Sequence, residues 1–147
     1  MPILAPQSTA SITKIMFFRP RDGMRQPPLK HNPINAIVCP RPIGWISTMT
    51  ADGSPNVAPF SYFNAVLADP PYVMFAPNAR PSGEDKDSYC NLEAIPEFVA
   101  SLVSTAQAQS MNATSAPFAP EISEFETCGI RSAPSKYVRP PRVAESY

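Results

Sequence analysis

The pattern of apolar and polar residues along the chain predicts short β-strands separated by turns. Residues 43–48 form an apolar, β-branched run, and residues 57–64 form a second run after the turn sequence ADGS at 51–54. An Asp-Gly pair between two such runs is typical of a β-hairpin, so residues 43–64 are predicted to form one. Pro59 in the second limb has no backbone N–H to donate, which favours an edge strand or a bulge.

Two further apolar segments extend the β pattern. Residues 72–76 are apolar at successive positions, which predicts a strand buried on both faces. Residues 98–104 are predicted to form the next strand. With the two limbs of the hairpin, these segments make four predicted strands.

Short helices are predicted around the strands. The first covers residues 33–38 with Asn32 as its cap. The second runs from about residue 87 to 95, with Asp87 as a candidate cap. Its predicted apolar face consists of Tyr89, Leu92 and Ile95.

A third helix is predicted over residues 120–128, with Pro120 at its start and Gly129 as its stop. Glu121 and Glu124 lie in its first turns, where acidic groups favour the helix dipole. Its predicted apolar face consists of Ile122 and Phe125. Residues 105–119 and 130–147 have no regular pattern, apart from room for one helical turn in the former.

Composition narrows the fold class to a mainly β structure with short helices. Proline accounts for 20 of 147 residues, which is about 14% against roughly 5% in average usage. Because proline removes a donor and restricts the backbone, a helical bundle is excluded. A small barrel-like or α+β core fits four strands and short helices.

Charge and hydropathy exclude several partners. The chain has 12 Lys and Arg residues and 12 Asp and Glu residues, so its formal net charge is zero. A neutral chain has little electrostatic attraction for the phosphates of a nucleic acid. No apolar run approaches the length of a membrane span. The N-terminus has no basic region before its apolar part, so no signal peptide is predicted and the expected location is cytoplasmic. Residues 1–32, interrupted by proline and aperiodic, are predicted to be a flexible arm.

The nucleophiles and metal ligands are sparse. The three cysteines, Cys39, Cys90 and Cys128, are far apart, and His31 is the sole histidine. A zinc site needs ligands at short spacing, and a Ser-His-Asp mechanism would depend on His31 without a GxSxG elbow. We therefore predict no metal site, no catalytic side chain of these types, and reduced thiols.

Two segments are candidates for ligand binding. Ser47 and Thr48 end the first limb of the predicted hairpin, and Ser61 and Asn64 lie on the second, so neutral polar groups could orient a ligand. Lys86 and Ser88, within the sequence SGEDKDS, lie at a predicted helix N-terminus and would suit a phosphate. Each segment also has a purely structural interpretation, as a strand end with a turn and as an exposed capped loop.

These segments together resemble a known family. The sequence PRPIGWISTMTADGSPNVAPFSYFNAVLADPPYVMFAPN, followed by SGEDKDSYCNL, FVASLVS, MNATSAPF, SEFETCGI and PPRVAES, resembles the flavin reductase-like domain family with the FMN-binding split barrel. The resemblance covers roughly residues 33–146 in the order and spacing of the family. It implies a six-stranded antiparallel Greek-key barrel that forms a homodimer and holds FMN between subunits.

The resemblance also implies which residues contact the cofactor. Ser47 and Thr48 are expected near the flavin phosphate, with Lys86 and Ser88 as a second phosphate-holding segment. Beside the flavin ring system the resemblance places Ser61, Phe63 and Asn64, with Ala58 and Pro59 shaping that wall. Since residues 61 and 64 would face opposite sides of a regular strand, a bend is expected near Pro59 or Phe63.

The implied activity is hydride transfer from NAD(P)H to FMN, with the chemistry carried by the cofactor and not by a catalytic side chain. Family members continue past the PPRVAES-like segment, whereas this sequence ends at Tyr147. The expected domain, residues 33–147, therefore lacks its last strands. The alternatives are a flavin-binding module without turnover, an inactive truncated fragment, or a distant relative that handles pyridoxal phosphate.

Overall fold

The computed structural model describes residues 32–80 and 82–147. The chain divides between Cys39 and Pro40 into two units. The described part of the first unit contains helix α1 (Pro33–Ile37), and Asn32 Oδ1 accepts a hydrogen bond of 2.9 Å from the N–H of Ile34. The predicted first helix and its cap are confirmed. The predicted flexible arm lies, except for Asn32, outside the described residues.

The second unit is built mainly from short strands. Its described part contains a three-stranded sheet of order β2–β1–β5 and two two-stranded sheets, β3–β4 and β6–β7. The strands are β1 (Gly44–Met49), β2 (Pro55–Phe60), β3 (Phe63–Ala68), β4 (Pro71–Phe75), β5 (Val99–Ser101), β6 (Ser132–Ala133) and β7 (Arg142–Val143). The helices are α2 (Asp87–Ala94), α3 (Ala108–Ala113), which follows a 3₁₀ turn at Thr105–Gln107, and α4 (Glu124–Thr127).

The predicted hairpin is present, but its second limb is shorter than predicted. Strands β1 and β2 pair antiparallel around a turn in which Gly53 has φ +97°, a conformation that glycine adopts without strain. Strand β2 lies at the sheet edge, as Pro59 predicted. The chain then bends at Ser61 and Tyr62 before β3 begins. This bend separates residues 61 and 64, so the expected break in residues 57–64 falls after Phe60.

The core lies on one face of β1 and β2. Trp45 and Val57 pack there against Phe125, Ile130 and Val143, and all five are at most 9% exposed. The register explains why Trp45 and Val57 share a face, because Trp45 lies opposite Pro59 and the pair two residues along the strands is Ser47 opposite Val57. Residues that are far apart in the chain thus pack around the indole of Trp45.

The prediction that residues 72–76 form a strand buried on both faces is wrong. Strand β4 forms, but Tyr72, Val73 and Met74 are 58%, 48% and 51% exposed. Within the described residues β4 pairs only with β3, where Val66 and Leu67 are also exposed. An apolar run predicts a strand, whereas its burial depends on what packs over it.

The second helix buries a face that overlaps the predicted one only in part. Ser88 and Asn91 are buried along α2 with Ile95 just beyond its end, while Tyr89 is 41% exposed. The cap is Lys86 and not Asp87. The predicted burial of Tyr89 is wrong because the surface that α2 covers is itself polar.

Helix α4 and strand β5 are shorter than predicted, whereas α3, β6 and β7 lie in segments that were predicted to be mostly irregular. Helix α4 covers only the second half of the segment 120–128, with Phe125 buried and Ile122 44% exposed, and Gly129 at φ +63° follows it. Strand β5 covers three of the residues predicted at 98–104, and the irregular segment 130–147 contains β6 and β7. Prolines and glycines interrupt these segments and limit regular backbone to a few residues.

The three cysteines are free. Within residues 32–80 and 82–147, no group of three or more His, Cys, Asp and Glu side chains is arranged to hold a metal ion. No helix in that part of the chain has the length and apolarity to cross a bilayer.

Gly44 is expected to tolerate no side chain. A Cβ at this position would lie 2.6 Å from Cδ2 of the Phe63 ring, so β1 and the start of β3 approach each other too closely for alanine. We expect Gly44→Ala to lower the free energy of unfolding by about 1–3 kcal/mol, the usual cost of overpacking. Urea denaturation measures this, and Gly44→Ala combined with Phe63→Leu should recover part of the loss. An unchanged free energy in the single variant would contradict this packing.

Candidate functional site

A cleft of about 460 Å³ runs along the outer edge of β2. Ala58 and Pro59 form one wall, Arg80 with residues from 82–88 forms another, and segment 114–118 lies across from them with Glu124. The N–H of Val57 points to this outer edge, because it donates to Glu124. Its volume is in the range of small-molecule and cofactor sites, and its lining is partly apolar and partly polar.

The cleft contains two cations in different states. The charge of Arg80 is balanced by an ion pair, because its Nη2 lies 2.7 Å from Oδ2 of Asp87. Lys86 Nζ lies 5.4 Å from the centroid of the Phe60 ring, and no acidic side chain among the described residues pairs with it. The Lys86 ammonium is therefore available to an anion in the cleft.

A buried polar network lies directly behind the cleft wall. Oδ1 of Asn56 accepts hydrogen bonds from the hydroxyls of Thr48 and Ser88, at 3.2 and 3.0 Å. Nδ2 of Asn91 donates in turn to Thr48 Oγ1 at 3.0 Å. All four side chains are buried, and together they join β1, β2 and α2. The buried polar side chains of α2, Ser88 and Asn91, are thus both hydrogen-bonded, which explains why this face can be buried.

Glu124 completes this network from α4. Its two carboxylate oxygens each lie 2.8 Å from Nδ2 of Asn56, and Oε2 also accepts from the N–H of Val57 at 3.3 Å. The residue is only 5% exposed. Burial raises the pKa of the Glu124 carboxyl above its usual value, and the negative charge of Asp87 raises it further, against hydrogen bonds that favour the ionised form.

Four of the predicted site residues line the cleft, namely Ala58, Pro59, Lys86 and Ser88. Thr48 lies one hydrogen bond behind it, through Asn56. Both Ala58 and Pro59 reach the cleft although strand neighbours face opposite sides, because the cleft follows the strand edge.

The other predicted residues lie elsewhere. Ser47 is fully buried away from the cleft, and its hydroxyl has no hydrogen-bond partner within the described part of the chain. Ser61 Oγ accepts from Nε of Arg41 at 3.3 Å, and the Phe63 ring packs against Gly44. Asn64 is exposed on β3. The structure does not bring these four side chains to the cleft, and their contact with a flavin stays a prediction.

Sequence reasoning missed the residues that organise the site, Asn56 and Asn91, and assigned Glu124 only to a helix end. An asparagine beside a turn and a glutamate in a first helical turn are typical of solvated surfaces. The available signal was weak: the turn of residues 51–54 is followed within two residues by a polar side chain inside an otherwise apolar strand.

The small paired sheets and short helices of the described residues, with a cleft at a sheet edge, fit the class of split-barrel proteins. Comparison with known proteins agrees. A putative flavin reductase with a split barrel domain from Shewanella frigidimarina matches with a TM-score of 0.64 and 23% identity, over 72% of this chain and 51% of that one. Nitrilotriacetate monooxygenase component B from Bacillus cereus matches with a TM-score of 0.76 and 26% identity, over 90% of this chain and 64% of that one.

The model of the flavin reductase like domain matches residues 37–147, and the chain belongs to this family. An uncharacterized protein of Aquifex aeolicus is 42% identical over 110 residues, covering 75% of this chain and 56% of that protein. The chain spans about half the length of the curated relatives it matches. The resemblance read from the sequence and the mainly β split-barrel fold class are thereby confirmed.

Proposed function

We propose that this chain belongs to an FMN-dependent oxidoreductase of the flavin reductase type that uses NAD(P)H as its reductant. The observation that carries the proposal is the Lys86 ammonium at the cleft, beside the Ser88 hydroxyl, with no acidic partner among residues 32–80 and 82–147. The Lys86 ammonium at one end suits a phosphate, and the Ser88 hydroxyl beside it can add a donor once its proton turns away from Asn56. Ala58, Pro59 and Phe118 offer an apolar wall to a flat ring. The donor set and the lining therefore fit FMN.

In this proposal the chain binds and orients, and the chemistry belongs to the cofactor. Lys86 and Ser88 would hold the phosphate of FMN, and Thr48 shares with Ser88 the hydrogen-bond acceptor Oδ1 of Asn56. Ala58 and Pro59 bound the ring system from the rigid edge of β2. FMN would supply the capacity to take a hydride from reduced nicotinamide, so no acid or base among the cleft residues would be required.

We further propose that two copies assemble through the β3–β4 hairpin. Its exposed apolar surface is formed by Val66, Leu67, Tyr72, Val73 and Met74, and contiguous apolar surface of this kind marks interaction sites. The predicted ring-contact residues Ser61, Phe63 and Asn64 lie at the base of this hairpin and away from the cleft. A flavin bound between two copies would let them contribute from the second copy. Three free cysteines fit a reducing cytoplasm.

Titration of the purified 147-residue protein with FMN, followed by flavin fluorescence and with sedimentation of the same sample, tests binding and assembly together. We expect saturable binding by a dimer, and oxidation of NADH or NADPH that depends on added FMN. Binding without nicotinamide oxidation would contradict the reductase and leave a flavin-binding module. Absence of FMN binding by a folded protein would contradict the proposal as a whole.

Lys86→Ala is expected to weaken FMN binding by about 1–3 kcal/mol, the scale of a hydrogen bond to a charged group. Riboflavin has no phosphate, so its affinity should stay the same. Lys136→Ala is the matched control, because Lys136 also lies over an aromatic ring, 5.1 Å from the Tyr137 centroid, but is exposed outside the cleft. Equal FMN affinity in wild type and Lys86→Ala would remove Lys86 from the site.

A further inference from the structure

The direction of the hydrogen bonds around Asn56 is set by Glu124. An ionised carboxylate can only accept, so the amide nitrogen of Asn56 faces Glu124 and the amide oxygen faces Thr48 and Ser88. The Ser88 hydroxyl consequently donates inward, to Asn56 Oδ1. At the cleft wall, Ser88 then presents oxygen lone pairs and not its proton.

This polarity is unfavourable for an anion in the cleft. A phosphate needs donors, and the one hydroxyl proton of Ser88 is committed to Asn56. The buried Glu124 carboxylate, which also lines the cleft, would add repulsion across a poorly solvated wall. Both obstacles disappear when Glu124 carries a proton.

We propose that Glu124 is a positioning residue that couples uptake of one proton from solvent to anion binding in the cleft, acting through Asn56 on Ser88. The protonated Glu124 keeps its acceptor bond from the N–H of Val57 and donates its new O–H to Asn56 Oδ1. The Asn56 amide turns by half a rotation, and Nδ2 then donates to Ser88 and Thr48. Ser88 becomes an acceptor on its inner side, so its proton turns to the ligand. At the far end, the Asn91 amide turns likewise and accepts from Thr48.

The charges around Glu124 favour this proton uptake. On the facing wall lie the Arg80–Asp87 ion pair, Lys86 and Glu84. The facing residues of β2, Asn56 and Val57, are neutral, and segment 114–118 contains no charged side chain. Following α4, the Cys128 thiol has its pKa raised by burial and by the nearby Glu124 charge. Lys86 is the cation that an anion would engage, which leaves an ionised Glu124 facing Asp87 and the ligand.

Glu124→Gln imitates the protonated state permanently. Its amide oxygen can accept from Val57, its amide nitrogen can donate to Asn56 Oδ1, and the side chain keeps its shape. We expect this variant to bind FMN more tightly than wild type at about pH 8, above the second phosphate pKa near 6. Calorimetry in buffers of different ionisation enthalpy should show wild type taking up as much as one proton more than Glu124→Gln. Glu126→Gln, an exposed acid on the same helix, should behave as wild type.

The sign of the pH dependence follows from linkage. An anion in the cleft raises the pKa of Glu124, so wild-type affinity is highest at low pH and falls by as much as tenfold per pH unit as the carboxyl ionises. Glu124→Gln should show only the shallow change from the phosphate itself. In a Ser88→Ala background, Glu124→Gln should increase FMN affinity by less than it does in the wild-type background, because the Ser88 hydroxyl is absent. A full gain there would show that Glu124 does not act through Ser88.

Sulfate gives a measurement that needs no variant and no flavin. It stays a dianion throughout this pH range, so any change in its affinity comes from the protein, and we expect binding to weaken as pH rises. The inference rests on the proposed function only for the identity of the anion. Absence of FMN binding with pH-dependent sulfate binding would contradict the flavin and support the coupling. FMN binding with equal proton uptake in wild type and Glu124→Gln, or sulfate binding independent of pH, would overturn the coupling.

Discussion

Trp45→Ala is expected to lower the free energy of unfolding by about 3–5 kcal/mol, as truncation of large buried aromatics does. Trp45 is 1% exposed and lies in the one cluster that joins β1 and β2 to Phe125 and Val143. Its loss would leave a cavity bordered by elements that are too short to be stable alone. Because Trp45 is the sole tryptophan of the chain, unfolding in urea should be followed by circular dichroism.

Trp45→Phe separates packing from hydrogen bonding. The indole Nε1 donates to Thr114 Oγ1 at 3.0 Å, and the Thr114 hydroxyl donates to the carbonyl of Met111 at 2.7 Å. Phenylalanine keeps much of the apolar volume but not this bond, so a smaller loss is expected. Since Thr114 begins the cleft segment 114–118, Trp45→Phe should also weaken FMN binding. A loss below about 1 kcal/mol in Trp45→Ala would contradict the assignment of this residue to the core.

Local chemistry explains what the sequence could predict. The β1–β2 hairpin follows from its turn, since Asp52-Gly53 determines the backbone without help from distant residues. The Asn32 cap and the stop at Gly129 are equally local. In the site, Lys86 and Ser88 were predicted because a cation and a hydroxyl at a helix start suit a phosphate on their own.

Tertiary partners explain what the sequence could not predict. The polar face of α2 is buried because Asn56, some 30 positions earlier in the chain, accepts from Ser88. The exposure of β4 depends on what covers it and not on its own apolar residues. Glu124 resembles an ordinary first-turn acid until the fold brings it to the edge of β2. A buried polar network is a property of four elements together, and no single segment contains its signal.

Asn56→Ala is expected to lower the free energy of unfolding by about 3–5 kcal/mol, because it leaves the buried Glu124 carboxylate without its side-chain hydrogen-bond partner. Asn56 accepts hydrogen bonds from two hydroxyls and donates to Glu124. Its removal therefore takes a hydrogen-bond partner from side chains on β1, α2 and α4. Asn91→Ala, at the far end of the network, removes one hydrogen bond and should cost only about 1 kcal/mol. Comparable losses in both variants would contradict the central role of Asn56.

The cost of Asn56→Ala should also depend on pH, in a direction that identifies Glu124 as the affected group. The hydrogen bond from Asn56 lowers the pKa of Glu124, so its loss raises that pKa further. A raised carboxyl pKa in the folded state gives stability at low pH that is lost as pH rises through it. The deficit of Asn56→Ala should therefore be largest at high pH and shrink as Glu124 becomes protonated. In a Glu124→Gln background the deficit should be smaller and independent of pH, because no buried charge is stranded. A pH-independent deficit in the wild-type background would mean that Asn56 stabilises the fold through Thr48 and Ser88 alone.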